Sequence, residues 1–156
     1  MNDLLLSPLG AGEVDAALMV LREARAEAVR RGTMPPWVHP ESDWPRWFAT
    51  EVVPTREVWV AEADGSLVGL VVIDDAFVDQ LYVAPGHQRR GIGSALLTLA
   101  KALRPAGFGL WVFEVNRPAI AWYERHGFEL VDRTDGADND EREPDRRYRW
   151  RGMTTV

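Results

Sequence analysis

Between an apolar segment at Phe77 to Val83 and a run of leucines at helical spacing that begins at Ile92 lies the hexapeptide Gln88-Arg89-Arg90-Gly91-Ile92-Gly93. A strand, a glycine-bearing turn and a helix in that order constrain a fold strongly. The turn must carry the chain from a sheet to a helix whose first amide groups have no intrahelical partners. With no side chain at Gly91 or Gly93, those amides suit a pyrophosphate, and the helix dipole together with Arg89 and Arg90 adds charge of the right sign. The ordinary alternative is a G-x-G turn flanked by two surface arginines. Rival phosphate loops fit poorly, since G-x-x-x-x-G-K-[ST] is absent and Leu96 stands where G-x-G-x-x-G requires its third glycine.

The flanking sequence extends this unit into an α/β layer. A short strand at Leu4 to Ser7 precedes a helix over Glu13 to Arg31, on which Val14, Ala17, Leu18, Leu21, Ala24 and Ala28 recur at helical spacing before Gly32. The proline-rich stretch 33–40 reads as irregular. A short helix follows, capped by Ser42 or Asp43, with Pro45 in its first turn and Trp44, Trp47 and Phe48 on its apolar face. Glu57 to Glu62 and Leu67 to Ile73 read as strands joined by an Asp64-Gly65 hairpin turn. Asp74-Asp75 then turns the chain into the strand Phe77 to Val83. Beyond the helix Ile92 to Leu103 come a buried strand at Leu110 to Val115 and a helix at Pro118 to His126 with Asn116 near its start. A strand at Phe128 to Val131, a hydrophilic excursion over 132–147 and a last strand at Tyr148 to Arg151 complete the pattern.

Composition narrows the function. A length of 156 residues suits one compact domain over 1–156, and a net charge of −6 argues against a general nucleic-acid or anionic-membrane binder. The absence of cysteine removes thiol nucleophiles, disulfides and cysteine-zinc sites. His39, His87 and His126 are scattered without metal-ligand spacing and read as surface or loop histidines, so no metal is expected. The longest apolar run, Leu67 to Ile73, is far short of the roughly 20 residues of a membrane span. Met1-Asn2-Asp3-Leu4 lacks a basic leader. The expectation is a cytoplasmic protein, with a homodimer left open.

The run VDQLYVAPGHQRRGIGSALL, residues 78–97, resembles the strand and acetyl-CoA loop of the GNAT (Gcn5-related) N-acetyltransferases, with Gln88, Gly91 and Gly93 matching [QR]-x-x-G-x-[GA]. Further on, Leu110-Trp111-Val112, Asn116 and Ala119 to Phe128 resemble the family's second block, L-x-V-x-x-x-N-x-x-A-x-x-[FW]-Y-x-x-x-G-F. The close match covers residues 78–129. The resemblance implies a GNAT fold: a mixed, mostly antiparallel, splayed sheet of six to seven strands flanked by about four helices. Acetyl-CoA would lie between the strands Phe77 to Val83 and Gly109 to Val115. It further implies that the backbone of Leu81, Tyr82 and Val83 pairs with the pantetheine arm and that the amides of Arg89, Arg90, Gly91, Ile92, Gly93 and Ser94 hold the pyrophosphate. Asn116 would touch the cofactor near its reactive end. Tyr123 would hydrogen-bond the sulfur and act as general acid.

Acetyl transfer to an amine also needs a base, because an alkyl ammonium of pKa about 10 is only about a thousandth neutral at pH 7. Asp79 is the first candidate, two residues before Leu81 and so on the same strand face. Glu114 on the partner strand is the alternative. Where the family sometimes carries its base, this sequence has Trp111, so a water relay stays open. The implied function is transfer from acetyl-CoA to a primary amine of a small molecule or peptide. A non-catalytic acyl-CoA sensor of the same fold, or an unrelated nucleotide binder using the glycine loop, are the alternatives. Acceptor choice is expected to rest on the first helices, including Trp37, Trp44, Trp47 and Phe48, of which the last three also read as core-packing residues, while the acidic excursion reads as a solvated hairpin loop or, alternatively, as a lure for a cationic amine.

Overall fold

The computed structural model describes residues 3–153. Strands β1 (Leu4–Pro8), β2 (Glu57–Ala63), β3 (Ser66–Ile73) and β4 (Val78–Val83) form an antiparallel sheet in that spatial order. Strands β5 (Phe108–Phe113), β6 (Glu129–Thr134) and β7 (Asp145–Trp150) form a second sheet, with β7 between the other two. Among the described residues the two sheets are joined by one parallel bridge, Phe77 to Gly109, beside which the Gly109 N–H donates to the Ala76 carbonyl at 2.8 Å. A Cβ at Gly109 would stand 2.8 Å from the Phe77 ring, so only glycine permits this approach. Past that bridge β4 and β5 diverge, giving the splayed sheet that the resemblance implies.

Helices cover both faces. Helix α1 (Val14–Arg30) and the helical segment 41–52 pack on one side, where Leu18, Leu21, Trp44, Phe48, Val58, Val60, Leu70 and Val72 form one buried cluster. Helices α3 (Ile92–Leu103) and α4 (Arg117–Arg125) pack on the other, over Val71, Ile73, Leu96, Leu97, Phe108, Leu110 and Tyr148. The alternation along β3, with Leu70 and Val72 to one cluster and Val71 and Ile73 to the other, is the period-2 pattern of a strand buried on both faces.

Several boundaries differ from the sequence expectation for identifiable reasons. The segment 41–52 is a 3₁₀ turn (Glu41–Asp43), a short α2 (Trp44–Trp47) and a π turn (Phe48–Val52), and neither Ser42 nor Asp43 caps it through its side chain. Burial of Trp44, Phe48 and Val52, each four residues apart, holds it in place instead. The β5 strand begins two residues earlier than expected, because Gly109 is the residue that meets Phe77. The excursion 132–147 begins and ends as paired strand, with Asp132 opposite Arg147 and Arg133 opposite Arg146. Only residues 135–144 form the loop. The Asn139 side chain ties that loop down by donating to the Glu143 carbonyl at 2.7 Å and to the buried Asp145 at 3.3 Å. No helix among the described residues is long and apolar enough to cross a membrane.

Candidate active site

The open side of β4 is defined by hydrogen-bond phase. The Ala84 N–H donates to the Val68 carbonyl at 2.8 Å, and the register pairs Tyr82 with Leu70 and Gln80 with Val72. In an antiparallel ladder only every second residue exchanges bonds with its partner. Tyr82 and Gln80 therefore direct their backbone groups to β3, while Leu81 and Val83 turn theirs to the edge that faces the divergence from β5. Of the three residues named from sequence, two offer free main-chain groups. The Gln88 side chain reaches back along this edge to the Val83 carbonyl at 3.4 Å.

The loop continues that edge into α3. Arg89 (φ 66°) and Gly91 (φ 82°) both adopt the left-handed conformation, which folds the backbone into a concave turn. No side chain caps α3, and its first helical bond is Ala95 N–H to the Gly91 carbonyl, so the amides of Ile92, Gly93 and Ser94 have no intrahelical partner. Arg89 and Arg90 are exposed beside them. A Cβ on Gly93 would meet Trp122 at 3.5 Å and Val83 at 3.7 Å, ordinary contact distances. Packing alone thus does not require glycine there, whereas a ligand lying over the amides would.

Behind the loop stands His126, half-buried at the end of α4 where the sequence suggests a surface or loop histidine. Its Nδ1 lies 2.7 Å from the Trp122 carbonyl and must carry the proton, leaving Nε2 to accept from the Ser94 hydroxyl at 3.4 Å. Its position one turn after Trp122, at the close of α4, was the only available signal.

Asn116 starts α4, its side-chain oxygen accepting from the Ala119 N–H at 3.3 Å, which leaves its amide nitrogen for another contact. Tyr123 is held edge-on between Trp122 and Phe128, with ring centroids at 5.0 and 5.3 Å. Burial pushes its phenol well above the ordinary tyrosine range, and the neighbouring Tyr82 adds to the effect. Tyr123 is consequently a protonated donor throughout the neutral range.

The sequence profile of the acetyltransferase (GNAT) domain matches residues 54–130, which contain the open edge, the loop, Asn116 and Tyr123. The chain belongs to the GNAT family. The peptidyl-lysine N-acetyltransferase YiaC of Escherichia coli is 41% identical over 75 residues, 47% of this chain and 51% of that protein. The probable N-acetyltransferase Rv2775 of Mycobacterium tuberculosis is 36% identical over 85 residues, 49% of each. The chain spans about half the length of these curated relatives. Solved GNAT-fold structures align over nearly all of it. The ribosomal-protein-S18-alanine N-acetyltransferase of Escherichia coli gives a TM-score of 0.74 at 22% identity, covering 99% of this chain and 97% of that one. The apo-form of YjaB from Escherichia coli gives 0.76 at 17% identity, covering 97% and 99%. At these identities the likeness establishes the fold.

The two carboxylates proposed as bases in this GNAT chain stand in different surroundings. Between Val78 and Gln80 the pairing with β3 slips by one residue, which makes Asp79 the extra residue of a β-bulge. The bulge interrupts the alternation on which the placement of Asp79 relied, since Val78, Leu81 and Val83 all join the α3/α4 cluster. Asp79 lies at the rim, accepting from Arg56 Nε at 2.7 Å. Desolvation raises its pKa against the opposing pull of Arg56. Glu114 instead accepts from Arg146 Nε at 2.8 Å, and Arg146 also donates to the Tyr148 hydroxyl, which in turn donates to Glu124. That hydrogen bond, with the charges of Arg146, Arg133 and Arg117, lowers the Glu114 pKa. A carboxylate so held is a poor proton acceptor.

On the opposite side of the GNAT sheet the aromatic wall is continuous. Trp37, Trp44, Trp47 and Phe48 follow one another at centroid separations of 4.1, 6.4 and 6.3 Å. Trp44 and Phe48 are buried and act as core, whereas Trp37 and Trp47 are half-exposed. The hairpin loop meets this region through Asp140, 3.3 Å from His39 Nε2, and through Glu141, whose charge reaches the Tyr82 phenol.

Proposed function

We propose that this protein transfers an acetyl group directly from acetyl-CoA to a primary amine of a small molecule or peptide. The observation that carries this reading is the continuity of the open β4 edge with the uncapped start of α3. Leu81 and Val83 offer N–H and C=O groups as a missing strand would meet them, and the amides of residues 92–94 follow in line. A ligand with an amide-bearing arm ending in a diphosphate matches both, and acetyl-CoA is such a ligand. Arg89 and Arg90 supply charge for its phosphates, and the free amide nitrogen of Asn116 is available to its reactive end.

In the chemistry that this arrangement supports, Asp79 or a water it orders takes a proton from the acceptor ammonium. The freed amine forms a C–N bond at the thioester carbonyl, the C–S bond breaks as the tetrahedral adduct collapses, and the extra N–H proton leaves through water, which also restores the Tyr123 phenol. A main-chain N–H of the open edge stabilises the oxyanion, and Tyr123 delivers its proton to the departing thiolate sulfur. One observation favours a second reading, an acyl-CoA sensor without turnover: both candidate bases are ion-paired to arginines.

Two measurements test the proposal. Acetyl-CoA, but not ATP or NAD, should raise the melting temperature, as selective native-state binding requires. An amine panel should then release free thiol. A melting shift with no thiol release on any amine would leave the sensor, and no shift at saturating acetyl-CoA would sink both readings.

A further inference from the structure

Helix α1 carries three arginines and Arg31 follows at its C-cap, and all but one of these four are matched: Arg22 lies 3.9 Å from Glu41, while Arg30 and Arg31 both pair with Glu27. Arg25 is different. Half-buried, it lies over the aromatic wall, its guanidinium carbon 5.3 Å from the Trp44 ring centroid and 6.0 Å from that of Trp37. Among the described residues it has no ion pair and no hydrogen bond, and its Nε is buried without a partner. The indole N–H of Trp37, the adjoining residue, is also buried and unpartnered. Stacking on an indole satisfies the face of a guanidinium and leaves its in-plane N–H fork unused. Two unmatched donors on residues in stacking range of each other, one of them cationic, present the complement of a carboxylate.

The location connects this pair to the reaction. Tyr82 packs against the same buried cluster as Trp37 and Trp44, and its strand neighbours Leu81 and Val83 pack with Tyr123 on the other face. Arg25, Tyr82 and Tyr123 therefore belong to one neighbourhood, bordered by Glu141 of the hairpin loop. An acceptor bridging it would present its amine toward Tyr123 and an anionic end toward α1. We propose that Arg25 and the Trp37 indole N–H form a subsite for the carboxylate of the acceptor, so that the acceptor is a small amino acid or similarly carboxylated amine. What happens to the amine rests on the transferase reading above; the binding itself does not.

The test uses the full chain and matched probes: leucine, methionine, phenylalanine and 4-aminobutyrate, each against its own carboxamide. Binding is read from intrinsic tryptophan fluorescence in the presence of CoA, and turnover from free thiol with acetyl-CoA. At least one acid should bind about 10- to 100-fold more tightly than its amide, the discrimination expected of a charge-assisted hydrogen-bonded pair. Arg25→Gln should bring that ratio close to one while the acetyl-CoA Kd stays fixed. Arg25→Lys should restore part of it, and Trp37→Phe, which removes the N–H together with part of the ring while keeping an aromatic face, should lower it less than Arg25→Gln. If Arg25→Gln fails to fold, the other two variants decide the matter. Equal binding of acids and amides, a ratio that survives every Arg25 variant, or preference for a lysine-bearing peptide over all four acids would overturn the subsite. Binding with the expected ratio but no thiol release would keep the subsite and overturn the transferase reading. Thiol release without an acid preference would do the reverse.

Discussion

Along β4 and into α3 the groups that face open space are main-chain amides and carbonyls, at Leu81, Val83 and residues 92–94. Around α1, α2 and the loop 135–144 the groups left for a ligand are side chains, half-buried at Arg25, Trp37 and Trp47 and carboxylates on the loop. The two surfaces meet at Tyr82, whose strand neighbours Leu81 and Val83 pack on the α3/α4 side while its own ring packs on the α1 side. A surface made of backbone can be built only from a fixed strand phase, a left-handed turn and a helix start. These leave a mark in sequence because glycine must stand at set positions. A surface made of side chains places no such demand, and many sequences serve equally well.

The sharpest way to break that contrast is at Tyr123, the side chain on which the backbone-built half depends. Tyr123→Phe should lower kcat by about 10²-fold or more, the range for loss of a positioned acid, with acetyl-CoA affinity preserved. Equal losses in both would make Tyr123 a packing residue. Next, Gly91→Ala forces a Cβ into the left-handed region and should weaken acetyl-CoA binding by about 1–2 kcal/mol, measured by calorimetry. Arg90→Gln should cost less than that. If the arginine matters more than the glycine, the loop is read through charge and not through backbone.

A pH profile then separates the two carboxylates. Burial already holds the Asp79 pKa above its ordinary value, and Arg56→Gln removes the group that opposes this. If Asp79 is the base, the acid limb of kcat/KM moves to higher pH in that variant; an unmoved limb assigns the proton to water or another group. Stability has its own sign. A carboxyl with a raised folded pKa binds its proton more tightly when folded, so the protein loses stability as pH rises from 3.8 through the folded value. The smallest effect is expected from Glu114→Gln, about 1 kcal/mol of stability for a half-buried pair that still meets solvent. Glu114 has the opposite sign, since its folded pKa is lowered. Its contribution is present above 4.5 and disappears as pH falls through the folded value, so thermal melts of the variant and the parent should converge in acid.

Legibility in the sequence followed the same division. Helix α3 falls on Ile92–Leu103 as its periodicity predicts, and the Asp64-Gly65 turn takes positive φ at both residues, as a tight hairpin demands. The strand edge, the glycine loop and Tyr123 were all visible as pattern. The bulge at Asp79 was not, because an extra residue in a ladder is a property of two strands together, and no local composition announces it. The ion pairs of Asp79 with Arg56 and of Glu114 with Arg146 span 23 and 32 residues of chain and lay equally beyond local reading. Arg25 went unnoticed for a related reason. On a helix it looks like any surface arginine until the third dimension shows that its neighbours have carboxylates and it has none.

The alternate phase of β4 carries a further consequence for solvent exchange. Within three consecutive residues the amide proton of Tyr82 is locked against β3, while those of Leu81 and Val83 stand open to water. The middle of the strand should therefore label in deuterium as a slow position flanked by two fast ones. Any molecule that lies along the edge would erase that contrast, so the strand carries its own occupancy gauge in two protons.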